Sequence, residues 1–212
     1  MGNELIMYAS MLVLRALLGV FSATLLSYST TIAIRYSCVR RQTAGPDGTE
    51  PQIIEYQTQQ YRLFPALSTT YAYFFAGCFF VRNLQTIQAS TNNFNNIQPT
   101  DLAKLHALSS ALKAASFDDA LKFSQMNRLC CGGHGYSQAS GLPQLIAEID
   151  AGCTYEGDNI ILYLQTARYL LKCAQNNISP HFELPNWNQI TSSQLYTNLR
   201  DYFDIYDRLY NE

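Results

Sequence analysis

The stretch from Leu5 to Tyr28 constrains the fold most, because it is almost entirely apolar and long enough to cross a bilayer. A helix of this composition must be covered by lipid or by the rest of the protein. Arg15 lies near its middle, and a central arginine costs at least about 2.5 kcal/mol on membrane insertion. We therefore expect a buried core helix and no membrane span. A membrane-anchored helical protein is the competing interpretation, and it rests on this stretch alone.

Composition narrows the class of protein. The chain has 212 residues, of which 48% are hydrophobic and 14% charged, and its formal net charge is -2. This length and apolar content support a substantial core in one large domain or two small ones. A chain without a basic excess is not expected to bind nucleic acid, and its aromatic content excludes disorder throughout.

The cysteines and histidines indicate neither a disulfide framework nor a metal site. None of the six cysteines forms a Cys-x-x-Cys pair, and none of the three histidines lies at metal-ligand spacing from another. We expect reduced, mostly buried thiols in an intracellular protein. A redox role for the adjacent Cys130 and Cys131 is the alternative.

Apolar residues recur at three- and four-residue steps through most of the chain, and no strand-like alternation is present. The expected class is all-α, a bundle of long helices. We expect a loop from Gly132 to about Gln144. The predicted helices cover residues 5–39, 53–89, 100–130, 159–175 and, in the tail, 191–210.

Two glycine-containing segments stand out between the helices. They are CGGHGYSQASGLP at 131–143 and CTYEGDN at 153–159, and both have the composition of ligand-binding loops. Glu156 is a carboxylate among small and apolar neighbours, where desolvation would raise its pKa toward that of a general base. Alternatively, Glu156 is a helix-start residue that interacts with the helix dipole.

Polar groups near the end of the first helix offer a second candidate site. Arg35, Arg40 and Arg41 could bind phosphates through bidentate contacts, or they could form a solvated helix terminus. Gln57, with Gln59 and Gln60, lies on a helix whose other face is aromatic. These amides suggest hydrogen bonding to a partner or cofactor.

Four segments together resemble the peroxisomal acyl-CoA oxidases, from about residue 10 to 175. The segments are TIAIRYSCVRRQT, EPQIIEYQTQQYRLFP, CGGHGYSQASGLP and CTYEGDNIILYLQTARYLL. The resemblance implies the C-terminal helical part of that family, without its N-terminal helical and middle β-domains. It assigns residues 5–178 to this helical bundle domain and 190–212 to the start of a second, truncated C-terminal helical domain.

The resemblance also implies an activity. The family uses FAD to convert an acyl-CoA to a trans-2-enoyl-CoA in peroxisomal fatty-acid β-oxidation, and it reduces oxygen to hydrogen peroxide. Glu156 would take the α-proton while the β-hydrogen leaves as hydride to the flavin N5. The Glu156 N–H would help to hold the thioester carbonyl. The substrate-binding residues so implied are Tyr155, Glu156 and Gly157.

The residues implied to contact FAD share a match to family motifs, and they are Arg40, Gln57, Gly132, Gly133, Asp158 and Asn159. Among them, Arg40 matches an arginine that reaches the FAD diphosphate across a dimer interface, so a homodimer is expected. Peroxisomal location follows by resemblance, although the final residues do not form a peroxisomal tripeptide. The alternative function is a non-catalytic helical module that dimerises with a full-length family member.

Overall fold

The computed structural model describes residues 2–91, 94 and 96–178, with side chains from Ser10 onward. The described residues form helices and contain no strand apart from one isolated bridge, so the all-α prediction is confirmed. Short 3₁₀ turns cover Ile53–Glu55 and Gln138–Ser140. The helices are α1 (Gly2–Val39), α2 (Gln57–Ser90), α3 (Pro99–Cys130), α4 (Gly132–Tyr136), α5 (Leu142–Gly152) and α6 (Asn159–Gln175).

The three long helices run up, down and up. Antiparallel packing of α1 and α2 brings Gly77 against Val20 near the middle of both helices, where a Cβ on Gly77 would lie 2.9 Å from the Val20 nitrogen. At the C-terminal end of α1, the Gln59 amide donates to the Ser37 hydroxyl at 2.9 Å and to the carbonyl of Cys130, the last residue of α3, at 2.9 Å. Since Gln59 meets both α1 and α3 there, α3 runs parallel to α1.

Helices α5 and α6 then lie in succession along α3, antiparallel to it. Ile149 of α5 is fully buried in a cluster with Phe117 of α3. Further along, Thr166 of α6 donates to the Ala107 carbonyl of α3 at 3.2 Å. The segment that joins α5 to α6 therefore lies beside the middle of α3 rather than at an end of the bundle.

Helix α1 is the central core helix, as its sequence predicted. Its buried apolar residues include Leu12, Ala16, Val20, Leu26 and Ala33, and each is at most 2% exposed. By length and composition, Ser10–Val39 and Gln57–Ser90 could each cross a membrane, but half and one third of their most apolar windows are buried inside the protein. Core helices of soluble proteins have the same length and composition, so these two features do not by themselves indicate a membrane span.

Two predictions about helix boundaries were wrong. The segment 132–144, expected to be a loop, contains α4, and α5 was not predicted at all. Helix α3 begins at Pro99 with Gln98 as its N-cap, one residue before the start predicted at residue 100. The predicted tail helix 191–210 and the domain 190–212 lie outside the described residues.

Candidate active site

Glu156 lies on a closed turn between α5 and α6. The Asn159 N–H donates to the Cys153 carbonyl at 3.1 Å, and the Tyr155 N–H donates to the Ala151 carbonyl at 3.2 Å. These bonds close the segment Cys153–Asp158, which we call the base turn. They leave Glu156 at its outermost part.

Asp158 starts α6. Its carboxylate accepts from the Ile160 N–H at 3.0 Å and from the Ile161 N–H at 3.3 Å, which is the bonding of an N-cap. The helix-start role considered for Glu156 therefore falls to Asp158.

The backbone at Glu156 and Gly157 is left-handed, with φ of 55° and 117°. For a residue other than glycine, the left-handed region costs about 1–2 kcal/mol. A Cβ on Gly157 would lie 3.0 Å from Leu162 Cδ2 and 3.3 Å from Arg15 Nη2. The base turn is thus an unfavourable conformation that surrounding contacts must hold in place.

Two buried cations hold successive carbonyls of this turn. Arg15 of α1 donates from Nε to the Glu156 carbonyl at 3.0 Å. Lys113 of α3 donates from Nζ to the Gly157 carbonyl at 2.7 Å. Both side chains are buried, at 6% and 0% exposure.

Arg15 is itself oriented by α3. Its Nη1 donates to the Ser110 hydroxyl at 3.3 Å and lies 3.5 Å from Nδ1 of His106. Burial, with the charge of Arg15, lowers the pKa of His106, which favours a neutral ring able to accept from the guanidinium.

Lys113 is the centre of a buried polar chain. Its Nζ also donates to Asn159 Oδ1 at 2.8 Å, and the Asn159 amide donates to Asp118 Oδ1 at 2.6 Å. The rings of Phe117 and Tyr155 lie on either side, 5.5 and 5.9 Å from Nζ. Burial is the main cause of a lowered Lys113 pKa.

Glu156 offers two unpartnered groups at the same position. No described residue forms a hydrogen bond or ion pair with its carboxylate, and none accepts a bond from its N–H. The side chain is exposed, so this chain by itself does not supply the desolvation that the sequence suggested. A ligand laid across the turn could meet both a carboxylate and a backbone donor.

The remaining predicted cofactor residues lie at the other end of α1. Arg40 follows the last residue of α1, and Gln57 begins α2; both side chains are exposed. Gly132 and Gly133 begin α4, and a Cβ on either would meet nothing within 4 Å.

Contacts to α1 show how far apart the two groups of residues are. Arg15 marks the level of the base turn, while the Tyr36 hydroxyl lies 3.2 Å from Nδ1 of His134 in α4. Along an α-helix, Arg15 and Tyr36 are about 30 Å apart. Asp158 and Asn159 lie beside Glu156, but within one chain Arg40, Gln57 and the glycine pair do not.

Other candidates from the sequence have roles inside the fold. Gln59 bonds Ser37 and Cys130 as described, and the Gln60 amide donates to the Ile54 carbonyl at 3.0 Å. Cys130 and Cys131 are buried thiols, and burial raises the pKa of Cys131 to about 11. Among the described residues, no group of three or more potential metal ligands occurs.

Sequence reasoning missed Arg15 and Lys113 as neighbours of the base turn. The available signal was a charge inside an otherwise apolar helical segment, which is unusual unless the charge has partners. For Arg15 we had used that signal only against a membrane span.

Comparisons with known proteins match this structure to one family. The family model described as "Acyl-CoA oxidase, C-alpha1 domain" matches residues 8–171. Peroxisomal acyl-coenzyme A oxidase 1 of Bos taurus is 42% identical over 80% of this chain, and the Homo sapiens protein is 42% identical over 78%. The chain spans about a quarter of the length of these relatives.

Solved structures agree. Acyl-CoA oxidase-1 of Caenorhabditis elegans, complexed with FAD and ATP, superimposes with a TM-score of 0.73 at 39% identity, over 78% of this chain and 25% of that one. Acyl-CoA oxidase 1 of Arabidopsis thaliana gives 0.74 at 36% identity, over 84% and 27%. The fold is therefore a helical domain of the kind found in flavin-linked acyl-CoA oxidases. The chain belongs to the acyl-CoA oxidase family.

Proposed function

We propose that this chain is the helical part of an FAD-dependent acyl-CoA oxidase that acts in peroxisomal fatty-acid β-oxidation, with Glu156 as its catalytic base. The observation that carries the proposal is the base turn itself. It presents an unpartnered carboxylate and an unpartnered N–H from the same residue. Both groups belong to residues 8–171, the range that the family model matches, which supports the proposal.

The chemistry follows from these two groups. The thioester carbonyl of the acyl-CoA accepts a hydrogen bond from the Glu156 N–H, which acidifies the α-carbon. The α-C–H bond then breaks and its proton passes to the Glu156 carboxylate. Bound FAD would supply an acceptor for the β-hydrogen as hydride; oxygen would take that electron pair and proton, together with a proton equivalent to the one that Glu156 removed, to give hydrogen peroxide. Tyr155 and Gly157, the neighbours of Glu156 in sequence, are the other proposed substrate-binding residues.

The residues present fit FAD in chemical type. Arg40 offers an exposed guanidinium, which binds phosphate oxygens in pairs, and Gln57 offers an exposed amide. Gly132 and Gly133 leave open space above their Cα atoms, so a flat ring or an extended ligand could approach the backbone there. These four residues would hold the cofactor away from the base turn of their own chain.

The separation of about 30 Å along α1 supports a homodimer. One flavin ring cannot contact Glu156 and the glycine pair of a single chain at once. A second copy would bring its own Arg40 end toward the base turn of the first. We therefore propose that each cofactor is shared between two chains. We also propose that no helix of this domain spans a membrane.

The test uses a hybrid oxidase, in which residues 8–171 of this chain replace the matching segment of the human relative. Glu156→Gln should keep FAD and lose peroxide production by about 10²–10⁴-fold, because the amide is near-isosteric but cannot accept the proton. Glu148→Gln, an exposed glutamate on α5, is the matched control. Peroxide release within tenfold of the parent would overturn the assignment.

Exposed apolar side chains favour a second candidate function. Those on α2 are Tyr61, Phe64, Leu67 and Tyr71. Such a surface suits a non-catalytic helical module that dimerises with a full-length family member. The 212-residue chain purified alone should self-associate and carry little or no FAD under this alternative. Stoichiometric FAD in its absorbance spectrum would exclude it.

A further inference from the structure

Two cations from different helices bond to successive carbonyls of the base turn, and no function is yet assigned to either. We propose that Arg15 and Lys113 are positioning residues that hold Glu156 in the left-handed conformation from which it presents its carboxylate and N–H to the substrate. This inference rests on the proposed function of Glu156. Its structural part can be tested without any activity.

The geometry fixes the two peptide planes that flank Gly157. Arg15 Nε bonds the Glu156 carbonyl at 3.0 Å, and Lys113 Nζ bonds the Gly157 carbonyl at 2.7 Å. Hydrogen bonds from charged donors are about twice as strong as neutral ones. With both planes held, the Cα–Cβ direction of Glu156 is set from the bundle core and not by the turn alone.

The burial of Lys113 supports the same conclusion. Its side chain is 0% exposed, and no described residue forms an ion pair with it. A buried charge is costly unless hydrogen bonds satisfy it. Its bonds go to the Gly157 carbonyl and to Asn159, the first residue of α6. This cation therefore links the base turn to the first residue of α6.

Little else restrains the outer part of the turn. The bonds from Asn159 N–H to Cys153 and from Tyr155 N–H to Ala151 join only the ends of the turn to α5 and α6. The Glu156 side chain is exposed and forms no hydrogen bond or ion pair with a described residue. Loss of Arg15 should therefore free the Glu156–Gly157 peptide, and loss of Lys113 the Gly157–Asp158 peptide, while the helices stay folded.

The first experiment measures amide hydrogen exchange in the 212-residue chain. Lys113→Met keeps the length of the side chain and removes the donor. It should speed exchange of the Asn159 N–H at least tenfold while α1 and α3 amides stay protected. Lys122→Met, at an exposed position of the same helix, is the matched control and should leave this rate unchanged. Equal rates in parent and Lys113→Met would overturn the proposal.

The second experiment measures turnover in the hybrid oxidase. Lys113→Met should lower kcat by about 100-fold, the effect of misplacing a reacting group by about 1 Å, with KM and FAD occupancy within threefold. Arg15→Lys keeps the charge but loses the fork of donors. Arg15→Lys should lower kcat by less than Lys113→Met does. If Lys113→Met fails to fold, Arg15→Lys is the variant that decides the test. Arg82→Lys, exposed on α2, is its control.

The outcomes separate the inference from the proposed function. If Glu156→Gln stays active, the function assigned to Glu156 is wrong, and the exchange rates alone decide whether the cations hold the turn. If Glu156→Gln is inactive but both cation variants keep parental kcat, the positioning role is wrong. If both variants have a higher KM, a lower FAD occupancy and a lower kcat, the two cations have a general structural role. That result would also overturn the positioning role.

Discussion

Gly152, the last residue of α5, lies directly against the ring of Phe117 in α3. A Cβ on Gly152 would come closer to Cε1, Cδ1 and Cζ of that ring than real Cβ atoms ever do. Phe117 is fully buried and also makes an edge-to-face contact with Tyr155, with ring centroids 5.7 Å apart. The absence of a side chain at Gly152 therefore lets the end of α5 pack directly against Phe117, next to the base turn.

Gly152→Ala should destabilise the chain by about 1–3 kcal/mol, because the added methyl group forces the Phe117 ring or the end of α5 to move. Urea unfolding of the 212-residue chain measures this. Gly133→Ala is the control, since a Cβ there meets nothing within 4 Å. It should change the free energy of unfolding by no more than about 0.5 kcal/mol. Equal losses for the two variants would contradict this account of the packing.

Asp158 should contribute to the stability of the chain as the N-cap of α6. Asp158→Ala should lower the free energy of unfolding by about 1 kcal/mol, because the Ile160 and Ile161 N–H groups lose their acceptor. Asp158→Ser restores an acceptor and should recover most of that loss. If serine and alanine prove equally destabilising, the cap does not contribute as described.

The long helices could be predicted because their signals are local. The glycines after Cys131 end α3 at Cys130, and the apolar steps after Asp158 place α6 correctly. Helix α5 was missed because it is short and lies between glycine and proline signals. What buries Leu142 and Ile149 is contact with distant parts of the chain, which the local pattern does not contain.

The candidate site was predicted only in part, for a related reason. Glu156 was found from its unusual neighbours and its family motif. Its partners were not, since Arg15 is 141 residues from Glu156 in sequence and Lys113 is 44 from Gly157. No local pattern encodes such contacts. The spread of the cofactor residues over both ends of α1 likewise becomes visible only in three dimensions.

Arg40 should matter for FAD and not for the fold. Its side chain is exposed at the end of α1, so Arg40→Ala should leave stability within about 0.5 kcal/mol of the parent. In the hybrid oxidase it should lower the flavin-to-protein absorbance ratio more than Arg35→Ala does, because a charge-assisted phosphate contact is lost at one position only. Similar ratios for the two variants would count against Arg40 as a cofactor residue.

Cys78 should make stability depend on alkaline pH. Its thiol is 1% exposed in the core between α1 and α2, and burial raises its pKa from 9.0 to about 12. Above pH 9 the unfolded thiol loses its proton while the folded one keeps it, so the free energy of unfolding falls as pH rises toward 12. One such group contributes a slope of at most about 1.4 kcal/mol per pH unit. Cys78→Ala should flatten the slope of stability between pH 9 and pH 11 by a large part of that amount, whereas Cys38→Ala, at an exposed thiol, should not. Parallel curves for the parent and Cys78→Ala would show that the Cys78 thiol does not stay protonated in the folded core.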